Sequence, residues 1–328
     1  MLKKKLALSL DGGGARGLFS LNILMLLKKC IGVELCEVFS IAVGASVGAL
    51  VGALVAFKIL DEKFDVILDN VLQLGKTIFT GNKDLIKGLT KPLYSGKTKR
   101  SAIKKLFGDT YRLRDACIPF VVICTNINGT PHILKSWDPE DGNVLLLDAL
   151  DASSAAPLYF PPVRINEEFL VDGGCTINNP TAVTMMLMRE YYQSVQLNFK
   201  ILSIGTHGVI RQTPITASES ENMGLIDWIA RDLVGLLMGS NDTSAVDISR
   251  SMLGAKNVLR IVCQVNTTLD TLDEPTISNL ISETVKVWTE KEQDILDFIL
   301  PADPMNTVSR TIQGECLAVK ELLKNRSL

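Results

Sequence analysis

The sequence predicts an α/β protein with a three-layer core, a mainly parallel central sheet and a largely helical C-terminal part. Three observations carry this. Short apolar runs stop abruptly at glycine turns, Lys5 to Leu10 before Asp11-Gly-Gly-Gly and Val38 to Val43 before Gly44. Each is followed by a segment of helical spacing, and strand–helix–strand–helix at the start of a chain builds a parallel sheet with helical crossovers. Beyond Thr206 the texture becomes mostly helical.

In order, Lys5 to Leu10 reads as the first strand, and Leu18, Leu21, Leu24, Met25 and Leu27 recur at helical spacing over Gly17 to Lys29. Val38 to Val43 is a second strand and Ser46 to Lys58 a second helix. Ile118 to Cys124, Pro131 to Lys135 and Glu168 to Val171 read as strands, the last breaking at Asp172-Gly173-Gly174. Asn179 and Pro180 open a helix to about Tyr192, with Asn as N-cap and Pro at the first helical position. Lys200 to Ile204 is the last strand of this block. Leu225 to Met238 and Thr307 to Leu323 read as helices, as does a segment opened by Pro275 with Ile277, Leu280, Ile281, Val285 and Trp288 on its apolar face. The loop Thr206 to Asn222 divides residues 1–206, a catalytic block, from residues 207–328, which finish the core and are a candidate regulatory part.

Composition narrows the function. Hydrophobic residues make up 47% and charged residues 21% of 328, an ordinary globular balance, and the net charge of -2 argues against binding polymeric nucleic acid. Seven cysteines without a Cys-x-x-Cys, and two histidines, do not make a zinc site, and unpaired thiols point to a reducing compartment. The apolar run after Lys3, Lys4 and Lys5 stops after five residues, short of the roughly 7–15 of a signal peptide. Lys76 to Lys105 holds nine basic residues against Asp84 alone, which suits docking on an anionic lipid surface or, equally, a solvated helical face.

Three segments carry chemistry. Asp11-Gly-Gly-Gly-Ala-Arg16-Gly17, between strand and helix, lets backbone N–H groups converge on one point where the helix N-terminus adds positive potential, so it stabilises an anion. Gly44-Ala-Ser46-Val-Gly48 is a G-x-S-x-G between strand and helix, the context of a nucleophile elbow. Asp172-Gly-Gly ends a strand at the edge where sites of open α/β sheets collect, and Asp172 is placed to act as the base for Ser46. His207 completes the order Ser, Asp, His of a conventional triad, whereas His132 has no evident part.

The ordered set of these three motifs, with Lys91-Pro-Leu-Tyr-Ser-Gly-Lys97, Ala152-Ser-Ser-Ala-Ala-Pro-Leu-Tyr-Phe-Pro-Pro162 and Asn178-Asn-Pro180, resembles the patatin-like phospholipases over about residues 5 to 205. The resemblance implies a patatin-like α/β/α fold and a lipid acyl hydrolase of membrane phospholipids using a Ser–Asp dyad, with no metal, histidine or other cofactor. Ser46 would be the nucleophile, Asp172 its base, and Gly12, Gly13 and Gly14 the oxyanion hole, with Arg16 holding that loop. Overall length adds a likeness to compact bacterial patatin-like effectors of antiphage defence, which implies a cyclic dinucleotide as activator and a cytoplasmic protein acting peripherally at the inner face of the membrane. A dimer is left open.

Other readings remain at this point. The hydrolase is constitutive rather than gated, or the chain is a dinucleotide-binding module using Gly12, Gly14 and Gly17, with Glu34 or Glu37 as the ribose acid. The uncharged stretch Val38 to Phe57, with glycines every fourth residue, also fits a transmembrane helix with a small-residue face.

Overall fold

The computed structural model describes residues 5–61, 64–79, 91–193, 199–206, 233–265 and 270–300, with 221 and 267. One eight-stranded sheet runs in the order β5-β6-β3-β2-β1-β7-β8, with β4 on β3. Its strands are β1 Lys5–Leu10, β2 Ile41–Ala45, β3 Phe120–Asn126, β4 Pro131–Lys135, β5 Val163–Ile165, β6 Glu168–Asp172, β7 Phe199–Gly205 and β8 Val258–Val262. β3, β2, β1, β7 and β8 are mutually parallel, while β4, β5 and β6 run antiparallel to their neighbours.

Alternation along the strands creates the layers. In β1, Leu6, Leu8 and Leu10 face a core shared with α1 (Gly17–Ile31), α3 (Val47–Ala56) and α9 (Glu274–Ile299). α4 (Phe64–Ile78), α5 (Gly96–Phe107) and α6 (Leu146–Ser153) contribute to the same core. Ala7 points the other way, with Val43, Val121 and Ile201, against α7 (Thr181–Tyr191) and α8 (Leu233–Leu253). Both faces of a parallel sheet must be covered, so its strands are apolar on both sides and the architecture is α/β/α. α7 starts at Thr181 with Pro180 as its N-cap, one residue later than expected, and the Asn179 side-chain oxygen accepts the Thr181 N–H at 3.0 Å. In α9, Ile277, Leu280, Ile281, Val285 and Trp288 are all buried, the face expected from its spacing.

Several expectations change. The uncharged stretch divides into the end of a one-turn helix α2 (Leu35–Val38), strand β2 and helix α3, so β2 starts at Ile41 rather than Val38. Among the described residues no helix is long and apolar enough to cross a membrane. The C-terminal part, expected to be mostly helical, also contributes a strand, β8, to the sheet edge, which the sequence reading did not place. The run Val-Leu-Arg-Ile-Val is short and broken by Arg260, whose charge masks it. Thr307 to Leu323, and Leu225 to Met238 before Leu233, lie outside the described residues. Cys36, Cys117, Cys124, Cys175 and Cys263 are free thiols, but Cys30 is disulfide-bonded, which corrects the expectation of seven unpaired thiols.

The basic stretch is not one lipid-facing surface. Lys83 and Lys87 lie outside the described residues. Lys99 is buried against Asp151, with Nζ 2.9 Å from Oδ1. Lys76 faces Glu274, Arg100 faces Asp148 and Lys104 faces Asp109. Lys91, Lys97 and Lys105 remain exposed.

Candidate active site

β3 is the template on which the site is assembled. Along one edge it pairs with β4 from Val121 to Thr125. Along the other, β2 arrives and ends with Ala45 opposite Ile123, and β6 arrives from the opposite direction and ends with Asp172 opposite Cys124. Two strands running head to head on one edge therefore deliver Ser46 and Asp172 to adjacent rungs. Ser46 Oγ donates to Asp172 Oδ2 at 2.6 Å.

Ser46 has φ 54° and ψ -126°, outside the regions a residue with a side chain ordinarily occupies, and such backbone costs on the order of 1–3 kcal/mol. The flanking glycines make the turn sterically feasible. A Cβ at Gly44 would lie 2.4 Å from the Gly48 carbonyl, and one at Gly48 would lie 2.3 Å from the Leu10 carbonyl oxygen. The turn is pinned from behind: Ser46 N–H donates to Ser153 Oγ at 2.9 Å, and Ser153 Oγ donates to the Ile123 carbonyl at 2.6 Å.

Asp172 is 3% exposed. Its Oδ1 accepts the Gly174 N–H at 2.7 Å. Burial pushes its carboxyl up, the Ser46 hydroxyl, the Gly174 N–H and the Lys99 charge each pull against that rise, and the net result is a shift from 3.8 to about 6. At neutral pH the ionised form is then favoured by roughly ten to one, which is the state a base needs. A serine hydroxyl has one proton to donate, and here it lies directly on the carboxylate, with no imidazole between. His207 lies outside the described residues, and His132 pairs with Glu168 at 3.1 Å.

The glycine loop faces the same point. Gly13 (φ 150°) and Gly14 (φ 56°) line a cavity with Ser46 and Asp172. Gly12 is a correction to the sequence reading: its N–H donates to the Asn178 carbonyl at 3.0 Å and is not free to meet an oxyanion. Its carbonyl accepts from Thr206 Oγ1. Both backbone groups of Gly12 thus anchor the loop, which removes Gly12 from the expected oxyanion donors. Arg16 is buried and clasps the loop from within, its backbone N–H and Nε both donating to the Gly13 carbonyl, at 3.2 and 3.3 Å.

The cavity holds about 370 Å³ and runs along α3, with Val47, Leu50 and Leu54 on one wall, Leu72 and Ile78 of α4 on another, and Leu272 from the C-terminal part. An apolar pocket with a few convergent polar groups at one end suits a ligand that is mostly hydrocarbon with one reactive polar centre. The dinucleotide reading does not survive. Glu34 pairs with Lys28 at 3.0 Å and, like Glu37, precedes β2. Both therefore lie at the end of the sheet opposite the glycine loop, a strand length of about 20 Å away. Among the described residues no group of three or more His, Cys, Asp or Glu is placed to hold a metal ion.

Sequence reasoning missed three contributors: Ser153, Lys99 and Arg260. Ser153 and Lys99 sit in or beside segments already singled out, but nothing in those motifs says which way a side chain points. Arg260 sits on the unrecognised strand β8, where Nη1 and Nη2 meet Asp11 Oδ1 and Oδ2 at 2.8 and 2.5 Å.

Fold and site together define an α/β protein with a serine–aspartate pair at the head of an apolar pocket. Residues 8–185 match the family model described as patatin-like phospholipase, and the chain belongs to that family. A cGAMP-activated phospholipase of Escherichia coli is 29% identical over 220 residues, 61% of this chain and 62% of that protein. Patatin-like protein 1 of Arabidopsis thaliana is 32% identical over 271 residues, 69% and 64% of the two chains. The 85/88 kDa calcium-independent phospholipase A2 of Mus musculus is 27% identical over 242 residues, 64% of this chain and 28% of that protein. The chain spans less than two thirds of the length of these relatives.

Proposed function

We propose that the protein is a lipid acyl hydrolase that cleaves fatty-acyl esters of membrane phospholipids. The observation that carries this is the 2.6 Å hydrogen bond from Ser46 Oγ to a buried Asp172 at the head of an apolar cavity. The Ser46 oxygen attacks the ester carbonyl carbon as its proton passes to Asp172. The developing oxyanion meets the Gly13 and Gly14 N–H groups, each good donor lowering the barrier by about 3–4 kcal/mol. Collapse expels the lysolipid oxygen, which takes the proton from Asp172 and leaves an acyl ester on Ser46. Water, deprotonated by Asp172, attacks that ester, and the fatty acid leaves as Ser46 recovers its proton.

Gating by a cyclic dinucleotide is the finer part of the proposal. It is supported by relatives from Escherichia coli and Vibrio cholerae named cGAMP-activated phospholipases; a role in antiphage defence, with peripheral action on the inner face of the membrane, is part of the same proposal. The C-terminal part, residues 207–328, is where we place regulation. Purified protein is incubated with a fluorogenic phospholipid, with and without a panel of cyclic dinucleotides, beside Ser46→Ala. Hydrolysis that appears with one nucleotide and is absent in the variant is expected. Hydrolysis of equal rate without nucleotide keeps the dyad and removes the gating, and hydrolysis by folded Ser46→Ala removes the dyad.

A further inference from the structure

We propose that Arg260 is a positioning residue for the glycine loop: from strand β8 it grips Asp11, and through Asp11 it fixes where the Gly13 and Gly14 N–H groups point. The role rests on the proposed chemistry of Ser46 and assigns a part in it to the C-terminal half of the chain.

The geometry is specific. Nη1 donates to Asp11 Oδ1 at 2.8 Å and Nη2 to Oδ2 at 2.5 Å, while Nη1 also reaches Ser203 Oγ at 2.8 Å. A planar fork with two parallel hydrogen bonds fixes orientation as well as distance, which an ammonium does not. The side chains are 9% and 1% exposed. To reach β1 the guanidinium must cross β7, and it does so over Gly205, where a Cβ would lie 2.4 Å from Nη2. The main chain of Asp11 is held as well, its N–H donating to the Ile204 carbonyl at 3.1 Å.

What Asp11 holds is the start of the loop. The next residue, Gly12, is anchored through both backbone groups, so the pivot into the left-handed conformations of Gly13 and Gly14 starts from a fixed base. Asp11 also abuts the serine elbow: a Cβ at Gly48 would sit 2.6 Å from its carbonyl oxygen. Loop and nucleophile are thereby registered against one residue. Burial pushes the Asp11 carboxyl up and Arg260 pulls it back. A buried ion pair is weak evidence for stability, because desolvation offsets the attraction, so its place beside the loop points to geometry.

The test uses Arg260→Lys, which keeps the charge without the fork, and the double variant Asp11→Asn/Arg260→Met, which leaves no buried charge unpaired. Circular dichroism and cooperative unfolding confirm that each is folded. On a water-soluble short-chain ester, kcat is expected to fall about 10–100-fold, with KM within about twofold of wild type. Amide hydrogen exchange of the peptide spanning Asp11 to Ala15 is expected to quicken at least tenfold in the double variant. A folded variant with wild-type kcat and unchanged exchange overturns the proposal. A wild-type protein that hydrolyses nothing with or without any cyclic dinucleotide of the panel sinks the function reading instead, and the exchange measurement still decides for or against Arg260.

Discussion

Ser153 stands directly behind Ser46: its Oγ accepts the Ser46 N–H at 2.9 Å while donating to the Ile123 carbonyl of the template strand. The hydroxyl therefore ties the strained elbow to β3 at the rung next to Asp172. Replacing it with alanine leaves a buried N–H and a buried carbonyl without partners, each costing about 1–3 kcal/mol. Ser153→Ala is expected to lose about 2 kcal/mol of stability and roughly tenfold in kcat, as the elbow loosens by a fraction of an ångström. Denaturant unfolding and steady-state kinetics check both numbers.

The acid limb of the rate profile belongs to Asp172. Its carboxyl is raised to about 6, and only the carboxylate accepts the serine proton. Activity is expected to fall on acidification through pH 6, with a slope of one proton, and to be flat from about pH 7 upward until other groups titrate. A limb centred near pH 4 means that Asp172 is not the titrating base.

The same shift makes a stability prediction of definite sign. The folded value of about 6 lies above the unfolded 3.8, so the fold favours the protonated acid. Its stabilising effect is complete below pH 4 and is lost as pH rises to about 6, a cost of roughly 3 kcal/mol at neutral pH. Asp172→Asn carries no such cost. It is expected to be inactive and, at pH 7, more stable than wild type by about 1–3 kcal/mol, with the advantage shrinking toward pH 4. Chemical denaturation at both pH values measures it.

Lys99 is the charge that helps keep Asp172 ionised. Its Nζ lies 2.9 Å from Asp151 Oδ1 and 3.3 Å from Ser154 Oγ, inside the apolar cavity wall. Lys99→Met removes a positive charge felt by Asp172, so the acid limb is expected to move to higher pH. It also leaves Asp151 buried with, among the described residues, only Arg100 near, at 3.4 Å, so a stability loss of about 3 kcal/mol is expected. A pH–rate profile that does not move assigns Lys99 to structure alone.

Much of this fold was legible because local chemistry and global topology agree. Glycine turns stop β1 and β2 where helices begin, and the alternation of Leu6, Ala7 and Leu8 is that of a strand covered on both faces. Ser46 and Asp172 were legible from turn chemistry. Their proximity was not, because it depends on β2 and β6 meeting head to head on β3, a long-range pairing no short motif encodes. Arg260 was hidden for a related reason: a charge in a five-residue apolar run argues against a buried strand until its partner, Asp11, is known. The N–H groups of the three glycines look equivalent in sequence, yet Gly12 donates to Asn178, a contact formed only after folding.

The most direct test of the account is mass spectrometry of the protein quenched during turnover of a phospholipid, and after treatment with a fluorophosphonate. The account predicts one covalent adduct, an acyl ester in the first case and a phosphonate in the second, both on Ser46 and both absent from Ser46→Ala. Turnover with no adduct on Ser46, or an adduct on another residue that persists in Ser46→Ala, contradicts it.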